Sequence, residues 1–299
     1  MYTRNFKSIS SVFKASQRQL LLYLPYVVAV YFAYAEFDLT YLDIKMSIAT
    51  VLGFAVALVL SFRTAASYDR WWEARKIWGG IVNDSRTLVR QMTGFMGRSP
   101  MDSSIAKMAH YQVAWCKALK DGLRGLDALR DLKEHLTKEE LEYLKDKSNA
   151  HNEILKFQEA LLFKLKEEGK IDSYQQVSLD HTLKNLCDHM GKCERINNTV
   201  FPTQYRSYTH MGIVIFIFML PFGMLFSTGP FVILICMLVA FFFAMLERIA
   251  FYLQDPFQNR GSDIPMSALT RTIEINLMEL AEIETDLVPM KPDQHGVLM

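Results

Sequence analysis

Apolar and charged positions are sharply segregated along the chain. No Asp, Glu, Lys or Arg occurs from residue 19 to 35, from 46 to 62, or from 207 to 246, whereas residues 63–206 are as charged as an ordinary soluble domain. A bilayer core of about 30 Å takes roughly 20 helical residues to cross, with long basic side chains at the ends reaching back to water. The first two tracts each fit one crossing. The third, at 40 residues, is too long for one and carries turn residues in its middle, "FSTGP" at 226–230. Four spans follow, near 19–36, 44–63, 209–227 and 231–249.

The flanking charges orient these spans. The first 18 residues hold Arg4, Lys7, Lys14 and Arg18 with no acid, while the first connection carries Glu36, Asp38 and Asp43 against Lys45. The excess of bases puts the amino terminus in the cytoplasm. An even number of spans returns the carboxyl terminus to the same side, together with the central charged block. No cleavable leader is evident. The expectation is a multi-pass protein of the cell (inner) membrane: a cytoplasmic segment 1–18, two spans in 19–63, a cytoplasmic domain over 64–206, two spans in 207–249 and a cytoplasmic segment 250–299.

Within the central block apolar residues recur at three and four, the helical period. "LTKEELEYLK" opens a helix with Thr137 followed by Glu140, a capping box. Breaks are expected at "GRSP" (97–100), around Ser148 and Asn149, and at "EEGK" (167–170), after which one long helix runs from about Asp172 through "CERINNTVFPTQYR" into the third span. A last helical segment covers 265–287. No β-rich stretch interrupts this, so the fold class is all-α.

Charge and candidate chemistry narrow the function. With 33 basic against 32 acidic residues, nothing argues for nucleic acid. The four cysteines, Cys116, Cys187, Cys193 and Cys236, fall in cytoplasmic helices or in a span and read as packing residues rather than disulfides. Cys187, His189 and Cys193 invite a metal, but 187 and 193 lie on different helical faces, which leaves only the 189/193 pair together. His181 and His210 read as polar helix residues. There is no phosphate-cradling glycine loop, no HExxH and no nucleophile elbow, so neither an enzyme nor a cofactor is expected.

The second span carries two neighbouring stripes at intervals of four. Ala49, Gly53, Ala57, Ser61 and Ala65 are small, the pattern that lets membrane helices approach closely. Beside them run Thr50, Phe54, Leu58 and Phe62. Spacing leaves two readings of the bulky stripe open. It packs against the other spans, or it faces a shared axis in an oligomer and forms a constriction of apolar rings. The chain then leaves the membrane through "VLSFRTAASYDRWWEAR" (59–75) with no Gly or Pro, which predicts one helix from about Asp43 to Arg90, roughly 70 Å long.

Three motifs in order, "YDRWWEARKIWGGIVNDSR" (68–86), "CERINNTVFPTQY" (193–205) and "LQDPF" (253–257), resemble the bestrophins in their short bacterial branch. The resemblance spans nearly the whole chain. It implies a homopentameric ion channel in the lipid bilayer, four membrane helices per subunit, a helical cytoplasmic vestibule and a pore lined by the second helix. Arg70, Trp71 and Trp72 match a tripeptide that follows the pore's neck by two turns in some members. The neck then falls on Phe54, Leu58 and Phe62. A second, cytoplasmic aperture falls on Tyr174, with Ile171 as its rival.

One departure concerns calcium. Where eukaryotic members follow the Pro-Phe pair with an acidic run, here Pro256 and Phe257 precede "QNRGSDIP", with Asp263 as the only acid. Calcium wants six to eight oxygens, several of them carboxylate, so a clasp here is doubtful and Asp263 is a weak candidate. The permeant species is expected to be a monovalent ion. Branch membership favours cations, with chloride and other anions as the alternative, since Asp69 and Glu73 compete with Arg63, Arg70 and Arg75 near the pore helix's cytoplasmic end. A small-solute carrier and a non-conducting membrane scaffold are the rival functions.

Overall fold

The computed structural model describes residues 5–37, 44–97, 103–199, 202–294 and 296–298. Among them nine α-helices occur and no β-strand: α1 (Asn5–Phe37), α2 (Met46–Met96), α3 (Ser103–Leu123), α4 (Lys138–Lys145), α5 (Ala150–Glu167), α6 (Ser173–Asn198), α7 (Thr203–Thr228), α8 (Phe231–Gln254) and α9 (Met266–Leu280). Four of them, α1, α2, α7 and α8, contain windows long and apolar enough to cross a membrane. The protein is an all-α, multi-pass membrane protein. α2 is a single helix of 51 residues, about 75 Å at 1.5 Å per residue, as the absence of Gly and Pro from 59–75 predicts. The segment "GRSP" lies outside the described residues from Arg98 onward.

The helices divide into two units, each with its own core. The membrane unit comprises 2–71 and 200–255. Its core joins Tyr23 and Val27 of α1, Val56 and Leu60 of α2, Phe216 and Leu220 of α7, and Cys236 and Phe243 of α8. Between α2 and α7 small residues set the distance. A Cβ built on Gly223 would lie 3.3 Å from the Ala49 Cβ, and one on Gly212 would lie 3.4 Å from Val56. α7 ends at Gly229, whose φ of +53° a side chain would resist and whose N–H reaches the Leu225 carbonyl at 3.3 Å. α8 starts directly after Pro230.

Pro221 inside α7 has no N–H for the carbonyl four residues back, and its ring crowds that turn. In a bilayer an orphaned carbonyl is costly because no water reaches it. α1 supplies the missing donor and adds a second bond beside it. The Tyr23 hydroxyl donates to the Ile217 carbonyl at 2.7 Å, and Tyr26 donates to the Phe218 carbonyl at 2.6 Å. The Ile44 N–H bonds the Phe222 carbonyl at 3.2 Å, tying the residues before α2 to α7.

The second unit comprises 72–199 and 256–299. Its core is built on Trp78, Leu88 and Met92 of α2 and Trp115 and Leu119 of α3, with α5, α6 and α9 contributing Ile154, Leu186 and Ile273. Helix starts follow the sequence closely. Thr137 and Glu140 form the expected capping box of α4, Asn149 caps α5, and Asp172 with Gln175 forms a second box at α6. Three polar side chains in this core form a chain: the Gln112 amide donates to Ser85 at 2.8 Å and the Gln158 amide to Gln112 at 2.9 Å.

Two expectations are corrected. The long helix from Asp172 into the third span is broken: α6 stops at Asn198 and α7 begins at Thr203. Pro202 is the cause, because it offers no N–H to the carbonyl four residues back, that of Asn198, where α6 ends. The last helix ends at Leu280, not near 287. There Glu282 takes a φ of +56° while the Ile283 N–H bonds the Met278 carbonyl at 2.9 Å and the Glu282 N–H bonds Glu279 at 3.2 Å, a Schellman stop that brings Ile283 onto the core.

Candidate pore and its surroundings

α2 places its two stripes differently. Phe54, Leu58 and Phe62 are 71%, 46% and 63% exposed, so the chain's own helices do not cover them. The opposite side of the same helix, Val56 and Leu60, is buried in the membrane unit's core. The bulky stripe therefore lies outside the core that the chain's own spans form. Thr50 is also exposed, and its hydroxyl turns back to the Met46 carbonyl at 2.9 Å.

The small stripe splits. Ala49 is buried, and a Cβ on Gly53 would meet the Phe216 ring at 2.7 Å, so both pack against α7 within the chain. Ala57, Ser61 and Ala65 are exposed. The split arises because a four-residue step falls 40° further round the helix each time, so the line of small residues winds from one face to the next.

Beyond the membrane unit's end of α2, Trp71 stacks on Tyr68 with ring centroids 6.2 Å apart, and Trp72 is half-exposed. Glu73 is held by Arg195 at 2.7 Å. Tyr174, on the first turn of α6, is 89% exposed, with Val177 exposed one turn on. Ile171 is buried in the core of the second unit and is unavailable to line an aperture; of the two rivals only Tyr174 presents a free side chain.

The remaining candidates make contacts within the second unit. Phe257 is buried in the second unit, and the Ile264 N–H bonds the Pro256 carbonyl at 3.1 Å. Asp263 is fully buried and accepts from the Arg260 N–H at 2.9 Å, so its carboxylate closes the 260–263 turn. Burial raises its pKa, with the Arg260 N–H and guanidinium opposing. Cys187 is exposed and Cys193 buried, the latter with its thiol pushed up to about 12 by burial. His189 bonds Asp84 of α2 at 3.0 Å over Gly80, where a Cβ would lie 2.6 Å from its ring. Among the described residues no cluster of three His, Cys, Asp or Glu side chains is placed to hold a metal.

Two polar clusters were not read from the sequence. In the second unit Glu274 receives Lys117 at 2.8 Å, His135 at 3.2 Å and Arg271 at 3.2 Å, and is almost fully buried. Burial alone would raise its pKa, but the hydrogen bonds from His135 and Lys117 and the charges of Lys117 and Arg271 outweigh it and hold the carboxyl at about 2. In the membrane unit Arg63, 1% exposed, lies 3.7 Å from Glu247, which also takes His210 at 3.0 Å. These partners are distant in sequence, so no local pattern announces them.

The arrangement is that of a helical membrane protein with a bulky apolar stripe on a long helix, uncovered by its own chain. Residues 3–279 match the family model described as Bacterial/Fungal Bestrophin protein. The protein is 30% identical over 284 residues to the voltage-dependent anion channel-forming protein YneE of Escherichia coli K12, covering 94% of this chain and 91% of that one. It is 31% identical over 234 residues to the voltage-dependent anion channel-forming protein alr2987 of Nostoc, covering 78% and 76%. Its fold is similar to the crystal structure of a bacterial bestrophin homologue from Klebsiella pneumoniae, with a TM-score of 0.84 at 28% identity, over 89% of this chain and 98% of that one. The chain belongs to the bacterial and fungal bestrophin family.

Proposed function

We propose that this protein is a homopentameric channel of the cell membrane, with both termini in the cytoplasm, that passes monovalent anions through a neck formed by Phe54, Leu58 and Phe62 from each subunit. The observation that carries the reading is the exposure of these three side chains on a helix whose other face is buried. Surrounding a common axis, they form three apolar rings. An ion there sheds water that the wall cannot replace, so the rings set the resistance, and the extent to which water wets them sets the gate. Tyr174 supplies a second, cytoplasmic constriction.

The relatives' name, anion channel-forming, favours anions over the cations expected from the sequence. So does charge. Below Phe62 the exposed positions at successive steps of seven along α2 are Asp69, Lys76, Asn83 and Arg90, one acid against two bases. Glu73, the other acid counted for cations, is paired with Arg195, and Arg63 is buried away from any lumen. Purified protein in a planar bilayer under a potassium chloride gradient tests this: the reversal potential falls on the chloride side. Reversal on the potassium side overturns the anion reading, and a sealed bilayer with monomeric protein overturns the channel.

A further inference from the structure

We infer that the membrane unit holds an anionic phospholipid, its phosphate between Arg63 and Arg206 and an acyl chain in the groove between α1 and α7. A cavity of about 460 Å³ opens where four helix ends meet: the start of the first span, the end of the second, the first turns of α7 and the last turns of α8. Its charged lining is Arg63, Arg206 and Arg248 against Glu247 alone. That one carboxylate is already engaged, with His210 Nδ1 at 3.0 and 3.2 Å from its two oxygens. Arg63 is 99% buried by its 1% exposure, yet its Nε and Nη1 make no hydrogen bond, and Glu247 stands 3.7 Å from Nη1, beyond hydrogen-bond reach. Nε and Nη1 lie on opposite edges of the guanidinium and are sealed from solvent, so what Arg63 offers the cavity is, with Arg206, a positive charge that Glu247 alone does not balance and that a phosphate matches. α7 adds Ser207 and the positive end of its dipole, with no side-chain cap at Pro202. Arg206 is fixed beside the cavity by stacking at 4.7 Å on Phe251.

The second half of the ligand follows from continuity. An apolar groove of about 280 Å³ shares Gln19, His210, Ala244 and Glu247 with the cavity and extends along Tyr23, Val214, Ile217 and Phe218, into the apolar stretch of α1 and α7. A free phosphate would fill the polar cavity and leave this groove bare, whereas a phospholipid fills both. Basic pockets between membrane helices are the usual seat of anionic headgroups.

Native mass spectrometry of the full-length, detergent-purified protein tests the inference without measuring flux, so its failure is separate from that of the channel reading. With equal phosphatidylglycerol and phosphatidylcholine of matched chains, the protein retains phosphatidylglycerol by about tenfold over phosphatidylcholine, and Arg63→Gln lowers that preference by about tenfold, as loss of one charged hydrogen-bond donor implies. Val214→Trp, filling the groove from its exposed side, reduces phosphatidylglycerol retention, and water-soluble glycerol phosphate does not displace the lipid. Should Arg63→Gln fail to fold, Arg206→Gln carries the same comparison from an exposed position. Equal retention of the two lipids, unchanged retention in the arginine variant, or displacement by glycerol phosphate at matched concentration overturns the proposal.

Discussion

Replacing Gly53 separates a contact inside the subunit from one between subunits. A Cβ at this position would stand 2.7 and 2.9 Å from Cε2 and Cζ of Phe216. Carbon atoms settle at about 3.5–4.0 Å, so the ring has to retreat by roughly 1 Å. It has no free space to enter: Phe216 is 6% exposed and its ring lies 5.2 Å from that of Phe243. Overpacking of this kind costs about 1–3 kcal/mol, and replacing a helical Gly by Ala returns about 1 kcal/mol. Gly53→Ala is therefore expected to be nearly neutral to mildly destabilising, and Gly53→Leu, with three more carbons, to lose about 2–3 kcal/mol. Thermal melting of the detergent-solubilised protein reads the loss, with particle mass measured in parallel. Phe216→Ala leaves a cavity, and the double variant should melt higher than the sum of the two losses, by a coupling of about 1–3 kcal/mol. If Gly53→Leu melts with the unmodified protein while the oligomer falls apart, the glycine faces a neighbouring subunit and the assignment to α7 is wrong.

Two further outcomes follow from named contacts. Tyr23→Phe removes the donor to the Ile217 carbonyl orphaned by Pro221 and should cost about 1–3 kcal/mol in melting experiments; the same change paired with Pro221→Ala, which restores the helix's own donor, should cost much less, and equal costs would refute the repair. Glu274 titrates near 2 when folded against an ordinary 4.5, so the stability it confers is present above about 4.5 and is lost as pH falls toward 2. That contribution is about 3 kcal/mol at neutral pH, and a Glu274→Gln variant whose stability falls between pH 5 and pH 3 as steeply as that of the unmodified protein would contradict it.

The four crossings were legible because three tracts lack charge and no other tract of similar length does, and the first capping box because Thr137 and Glu140 sit three apart. What the sequence concealed depends on partners far along the chain or on backbone conformation. Hydropathy does not register that Pro202 ends a helix whose apolar period continues on both sides, nor that Glu282 adopts a left-handed backbone that stops α9. The small stripe was visible, but which of its residues meet α7 depends on how the stripe winds round the helix, and Ala49 and Gly53 part from Ala57 and Ser61 on that account. Tyr174 and Ile171 look alike as candidates until burial separates them. Arg63 lies between an apolar tract and a charged one, and the sequence offers it only as one of the bases near the pore helix's cytoplasmic end. Only the fold brings Arg206, His210 and Glu247 to it and shows two donors with nothing to bind.

The central claim is that Phe54, Leu58 and Phe62 surround a shared axis, and single-channel recording of Leu58→Ala, with melting of the same preparation, tests it most directly. Truncating a lumen-facing leucine widens one ring and lets water stay, so conductance should rise several-fold, up to about tenfold if the barrier falls by about 1.4 kcal/mol. With the side chain uncovered by its own chain, the melting temperature should scarcely move. Unchanged single-channel current with early melting, the about 2–5 kcal/mol signature of a cavity in a packed core, would mean that the stripe is buried in a contact and that the pore lies elsewhere.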